Sequence, residues 1–139
     1  MTDNSPIHVL DRAAALEKMA TVQLGRLVVH RTEEFDIFPV NFVVDGEDIY
    51  FRSAEGSKLF TVALNNEVLF EADEVTDGHA WSVVVRGEAN LLTSNSDIQY
   101  ADSLGLKPWI PTLKYNFVKI TAREVSGREF DLGEEPERY

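Results

Sequence analysis

Between Arg31 and Arg86 the only basic side chains are Arg52 and Lys58, and they stand among twelve acidic ones. Both fall in one short stretch, Phe51-Arg52-Ser53-Ala54-Glu55-Gly56-Ser57-Lys58. Here a strand-like alternation, Asp48 to Ser53, gives way to a helical pattern over residues 57 to 65. A turn that leads from a strand into a helix N-terminus presents free backbone N–H groups and the positive end of the helix dipole, which favour an anion. Ser53 and Ser57 add hydroxyl donors, Gly56 allows close backbone approach, and Arg52 and Lys58 supply charge-assisted donors. The chemistry that fits is capture of a phosphate. A plainer reading stays open, in which Ser57 only caps the helix, Gly56 only turns the chain and the two cations only pair with neighbouring carboxylates.

Other residues could shape such a site. Trp81 and Trp109 each stand beside polar or loop-forming residues, and either could wall a flat aromatic ligand, with Asn41 and Ser82 as orienting polar groups in otherwise apolar strands. The alternatives are a barrel plug for Trp81 and a loop anchor for Trp109. His8, His30 and His79 are scattered, and neither they nor the carboxylates show metal-ligand spacing, so no metal site is expected. Glu71 and Asp73 share a strand face and could act as paired catalytic carboxylates, but a solvated strand end is the simpler account. With no Gly-x-Ser-x-Gly elbow, P-loop or dinucleotide fingerprint, the hydrolase and kinase readings fall away and no catalytic side chain is assigned.

The elements that must position these residues are mostly strands. Residues 9 to 20 place Val9, Ala13, Leu16 and Ala20 on one stripe of an amphipathic helix, with Asp11 near its start and Gly25 beyond its end. Period-two segments follow at Arg26 to Arg31, Ile37 to Val44, Asp48 to Ser53, Val68 to Ala72, Ala80 to Leu92 and Tyr115 to Val125. Asp45-Gly46 predicts a hairpin whose two turn positions both take positive φ. A second helix is expected over residues 95 to 104, capped by Asn95 or Ser96 and stopped by Gly105, followed by an extended loop at Lys107 to Pro111. Six short strands with few helices favour closure, which removes exposed edges. The expected fold is therefore mainly β, an antiparallel barrel with peripheral helices.

At 139 residues the chain suits one domain, 1 to 139. It has no cysteine, which excludes disulfides, thiolate metal sites and a cysteine nucleophile. No apolar run approaches the roughly 18 residues of a bilayer span, and Met1 to Pro6 lacks the pattern of a secretory signal, so a cytoplasmic protein without a membrane partner is expected. The formal charge of -11 repels phosphate backbones, so nucleic acid is not an expected partner. A small anion remains compatible, because local donors outweigh a field screened beyond about 8 to 10 Å. The acidic end, Glu134 to Tyr139, reads as a mobile tail.

The ordered segments Gly25-Arg26-Leu27, Pro39-Val40-Asn41-Phe42, FRSAEGSK, Val68 to Asp73, Trp81 to Gly87, Pro108-Trp109 and Ile120 to Arg128 resemble the pyridoxamine 5'-phosphate oxidase-like family of flavin-binding split-barrel proteins, in its short actinobacterial-type branch. The resemblance covers residues 9 to 128. It implies a six-stranded split β-barrel and a homodimer with two FMN sites at the subunit interface. The phosphate would be held by Arg52, Ser53, Ser57 and Lys58, and the flavin ring would lie along Val40 and Asn41. The partner subunit would close the site with the strand of Trp81 and Ser82 and with the Trp109 loop. The chain ends in Glu134-Glu135-Pro136-Glu137-Arg138-Tyr139 rather than the Trp-Arg-Leu-x-Pro type segment of true pyridoxamine phosphate oxidases, so oxidation of vitamin B6 is not expected. The resemblance implies a flavin-dependent oxidoreductase of unknown small-molecule substrate. The alternatives are a flavin-storing module without turnover, or a split barrel that uses a deazaflavin or haem.

Overall fold

The computed structural model describes residues 5–53, 62, 66–106 and 116–137. In chain order these give β1 (Ile7–Leu10), α1 (Arg12–Met19), β2 (Leu24–Arg31), β3 (Glu34–Asp45), β4 (Asp48–Ser53), β5 (Glu67–Thr76), β6 (His79–Leu91), α2 (Asn95–Asp102) and β7 (Asn116–Asp131). The strands form one antiparallel sheet in the order β1-β7-β4-β3-β2-β5-β6, and pairing of β6 with β7 closes it into a ring. This is a mainly β split barrel with peripheral helices. Its six ring strands are the six expected from sequence.

The seventh strand, β1, was read as the start of a helix. Asp11 separates the two, since its side chain accepts from the Ala14 backbone N–H at 2.8 Å and so starts α1 at Arg12. Val9 and Leu10 instead pair with Arg128 and Gly127 of β7. The buried stripe of α1 is accordingly Ala15, Leu16 and Met19, and of the expected stripe only Leu16 is buried. The second helix is capped one residue earlier than expected, by Ser94, whose hydroxyl accepts from the Asp97 N–H at 3.2 Å; Gly105 follows with φ 77°. The expected helix over residues 57 to 65, apart from buried Val62, and the whole loop expected at Lys107 to Pro111 lie outside the described residues.

The hairpin between β3 and β4 also differs in detail. Asp45 pairs with Asp48, so the turn residues are Gly46 and Glu47, and of these only Gly46 takes positive φ, at 62°. A glycine at the first central position is the pattern of a type II′ turn, whose twist matches the flanking strands. The preceding hairpin, where Arg31 pairs with Glu34, places Thr32 at φ 56°, a costly conformation for a β-branched residue.

Inside the ring, alternation decides which side chains meet. On β6, Trp81, Val83, Val85 and Ala89 face inward and are buried, while Ser82, Val84, Arg86 and Glu88 face outward. They join Leu27, Val29, Phe42, Ile49, Phe51, Phe70, Val118 and Ile120 in one core that α1 covers with Leu16 and Met19. A bulge between Arg86 and Gly87 brings β6 so near β7 that a Cβ on Gly87 would run into the Thr121 carbonyl oxygen. The ladder between β2 and β5 is short. It runs from Val29 opposite Val68 to Arg26 opposite Glu71, whereas β5 stays beside β6 as far as Thr76. Past Arg26 the two strands part, leaving an opening in the wall.

Candidate functional site

The first half of the phosphate turn is the end of β4. Arg52 and Ser53 pair with Phe117 and Asn116 of β7, and Phe51 pairs with Phe42 of β3. Ser53 is 3% exposed, a hydroxyl drawn into the protein. Arg52 is half-buried, with its guanidinium carbon 5.9 Å from the centre of the Phe117 ring, within cation–π reach. Ser57 and Lys58, the second half of the turn, lie outside the described residues, as does Trp109.

Asn41 lies on the same outer face as Arg52. Continuing the β3–β4 register one residue past the Phe42–Phe51 pair sets Asn41 beside Arg52. Val40, its neighbour on the inner face, is buried in the core at 7% exposure, so only its backbone is available to a ligand on the outside. Asn41 borders a cavity of about 280 Å³ whose walls come from the end of α1, through Ala20 and Gln23, and from Gly105 and Leu106 past the end of α2. The backbone holds this corner together, since the Phe42 N–H donates to the Gln23 carbonyl at 3.0 Å. Val43 on the same face and Tyr50 on β4 pack with Ala101, Phe117, Ile98 and Leu104, which seats α2 beside the cavity.

Trp81 and Ser82 are placed elsewhere. Trp81 is 3% exposed and is a core side chain, which is the barrel-plug alternative; its ring has almost no surface to offer a ligand from within one chain. Ser82 faces outward on β6, opposite Asp73 on one side and Arg128 on the other. With β2 and β5 between them, β3 and β6 stand three strand spacings apart in the sheet, on the order of 14 Å. One chain therefore brings Arg52, Ser53, Val40 and Asn41 together and leaves Ser82 on a separate part of the wall.

Sequence reasoning missed a charged cluster at the opening between β2 and β5. Asp73 is exposed at this strand end and Glu71 is half-buried, and both reach one cation: Arg26 Nη1 donates to Glu71 Oε1 at 3.0 Å and lies 3.3 Å from Asp73 Oδ2. Burial pushes the Glu71 carboxyl up to about 7, and the hydrogen bond and charge of Asp73 push the same way against the pull of Arg26. Arg26, Asp73 and Glu74 border a cavity of about 410 Å³ with Thr21, Val22, Gln23 and Leu24. Gln23 is common to this cavity and to the one beside Asn41. The available signal was the odd spacing of Arg26 on β2, which puts it on the same outward face that Glu71 and Asp73 share on β5. A second cluster ties the barrel end to α1, with Lys18 Nζ 3.0 Å and His79 Nε2 3.5 Å from Glu129 Oε1. The Lys18 ammonium is the main reason that the Glu129 carboxyl lies below the usual carboxylate range.

The family model described as pyridoxamine 5'-phosphate oxidase matches residues 11–129. A Corynebacterium glutamicum protein provisionally named as a pyridoxamine 5'-phosphate oxidase is 58% identical, with 97% of this chain and all (100%) of that one covered and a TM-score of 0.88. The FAD binding protein of Mycobacterium smegmatis is 36% identical, with 91% of this chain and 100% of that one covered and a TM-score of 0.79. An uncharacterized Mycobacterium tuberculosis protein is 40% identical over 96 residues, 69% of this chain and 87% of its own length. A match that runs from the start of α1 through nearly all of β7 places the chain in the pyridoxamine 5'-phosphate oxidase family.

Proposed function

We propose that the chain binds FMN and works as a flavin-dependent oxidoreductase on a small molecule other than vitamin B6. The observation that carries this is half-buried Arg52 at the end of β4, on the outer face where Asn41 borders a cavity, with buried Ser53 next to it in the chain. Arg52 and Ser53, with Ser57 and Lys58 beyond them, would hold the phosphate, and the backbone at Val40 and Asn41 would run along the ring. When bound, the flavin supplies the hydride or electron chemistry. The chain's own groups bind and orient it and exclude water, so no side chain has to act as nucleophile.

One chain offers only part of such a site. The cavity of about 280 Å³ beside Asn41 falls just below the about 300–1,000 Å³ of small-molecule sites, and Ser82 stands apart from it. A homodimer completes it in this reading, with the partner bringing Ser82, the strand of Trp81 and the Trp109 loop. An apolar patch on the outer face supports pairing: Phe35, 71% exposed, lines a cavity of about 270 Å³ with partly buried Val28 and Leu69, and Ile37, opposite Val28, is 64% exposed. Among the described residues no helix is long and apolar enough to cross a membrane, and the absence of cysteine suits a reducing cytoplasm.

A second reading is favoured by the Mycobacterium smegmatis relative, an FAD binding protein at 36% identity. FAD presents a diphosphate to the same turn, and one measurement separates the two cofactors. The purified protein is expected to be yellow, to run as a dimer in light scattering, and to release FMN rather than FAD on heat denaturation and chromatography. FMN added to the apoprotein should raise its melting temperature according to RT ln(1 + [L]/Kd). Release of FAD alone would favour the second reading. A colourless monomer that gains no stability from either flavin would overturn both. A yellow protein whose spectrum never responds to NADH, NADPH, quinones or nitro compounds would identify a storage module instead, and a deazaflavin or haem would be recognised by its own absorbance.

A further inference from the structure

We propose that the Asp77-Gly78 step at the tip of the β5–β6 hairpin is a site of aspartate isomerisation, and that the chain's other Asp-Gly step, Asp45-Gly46, is held back from the same reaction by Tyr100. None of the residues proposed to hold the flavin takes part, so the test stands apart from that reading.

The reaction needs no catalyst and no co-reactant but water. The backbone nitrogen of Gly78 attacks Cγ of the protonated Asp77 side chain. A bond forms from nitrogen to Cγ, the nitrogen gives up its hydrogen, Cγ loses its hydroxyl, and one water leaves as a cyclic succinimide closes. Water then adds back at either carbonyl of the ring. Opening at Cγ restores aspartate, whereas opening at the α-carbonyl leaves the main chain running through Cβ and Cγ with a free α-carboxylate. Nothing is oxidised or reduced. Glycine in the following position matters because a Cβ there would crowd the attacking nitrogen, and because glycine lets the peptide rotate into the closing geometry. Both Asp-Gly steps of the sequence meet that condition.

Their surroundings differ. Thr76 pairs with His79, so Asp77 and Gly78 are the two residues of a tight turn, and both are exposed. Of the two only Gly78 takes positive φ, at 76°, and a Cβ built there would meet nothing within 4 Å. The turns that suit a two-residue hairpin need positive φ at the first central position, so this one matches the twist of its strands less well than the turn at Gly46. Among the described residues neither the Asp77 carboxylate nor the Gly78 N–H has a hydrogen-bond partner. What is tied down lies to either side: the Gly78 carbonyl accepts from the Leu132 N–H at 3.0 Å, and the Thr76 hydroxyl donates to the His79 carbonyl at 3.2 Å. The two reacting groups are left free to meet. Asp45, by contrast, is the last residue of β3 and pairs with Asp48, and its Oδ2 accepts from the Tyr100 hydroxyl at 2.5 Å. Tyr100 belongs to α2, which is seated on the sheet through Ala101 and Ile98, so that bond ties the carboxylate to a second packed element. The Asp45 carboxyl must give it up before it can turn onto the Gly46 nitrogen.

Peptide mapping of the full-length protein, held for several weeks at physiological temperature and neutral pH, tests the proposal. The isomer has the mass of aspartate, so it is recognised by a shifted retention, by electron-transfer fragments that report the extra main-chain carbon, and by uptake of a methyl group from S-adenosylmethionine through an isoaspartyl carboxyl methyltransferase. The isomer should accumulate at Asp77 severalfold faster than at Asp45. The D77E variant, whose ring would be one atom larger, should show none at that position, and Y100F should raise conversion at Asp45 while leaving Asp77 as in wild type. In urea, with the fold removed, the two steps should convert at similar rates. An Asp77 that stays intact in the folded protein, or converts no faster than Asp45, would overturn the proposal. So would a preference for Asp77 that persists undiminished in urea, or a Y100F protein in which Asp45 is as inert as in wild type. If Y100F fails to fold, the comparison of folded and urea-unfolded wild type decides the matter.

Discussion

Replacing Arg52 and Lys58 together by alanine weakens FMN several hundred-fold or more, as read by fluorescence titration of the apoprotein. Each charge-assisted hydrogen bond lost contributes about 1.5–3 kcal/mol, and every 1.4 kcal/mol is about tenfold in affinity. Their sum is large because the two are the only cations between Arg31 and Arg86, so no neighbouring cation in that stretch can substitute. The fold survives, because the core of Phe51, Ile49 and Phe42 lies on the other face of these strands from Arg52. Circular dichroism would confirm it. Affinity within threefold of wild type in a folded double mutant would show that the anion, or the flavin itself, binds elsewhere.

Replacing Phe70 by alanine lowers stability by about 3–5 kcal/mol, measured as a fall in the urea midpoint at constant m-value. Phe70 is 0% exposed and makes an edge-to-face contact with Phe42 at 4.8 Å between ring centres. The side chain sits against Gly25, where any Cβ would collide with its ring. The space left behind is bounded by strand backbone, which cannot collapse to fill it, so the cavity cost adds to the lost burial. Against a total of about 5–15 kcal/mol for a domain this is a large fraction, and the melting temperature should fall on the order of 10 °C or more. A loss below about 1 kcal/mol would mean that the barrel interior is much more compliant than its packing implies.

Much of the barrel was legible because strand alternation is a local property. Val83 and Val85 against Ser82 and Val84 differ in where they point for the same reason in any sheet, and a period of two shows it in a short window. Element ends were less legible. Val9 fits a helical stripe as well as a strand, and only its pairing with Arg128, more than a hundred residues away, decides for the strand. The cap of α2 moved from Asn95 or Ser96 to Ser94 because all three can accept the hydrogen bond, and the start of the helix chooses among them. The hairpin turn shifted by one residue because register is set by the Asp45–Asp48 pair and not by the dipeptide alone.

The isolation of Arg52 and Lys58 is a fact of sequence, and with Ser53, Gly56 and Ser57 it is what proposes an anion site there, because that chemistry lies within a few consecutive residues. Tertiary structure decided what those residues could not: that Asn41 lies beside Arg52, that Trp81 is core, that Ser82 stands across the wall, and that Arg26 joins Glu71 and Asp73 at the parting of β2 and β5. Each of these depends on which strands become neighbours. Pairing across 45 residues, as between Arg26 and Glu71, is fixed by the summed burial of a whole barrel and leaves no mark in any short stretch of chain.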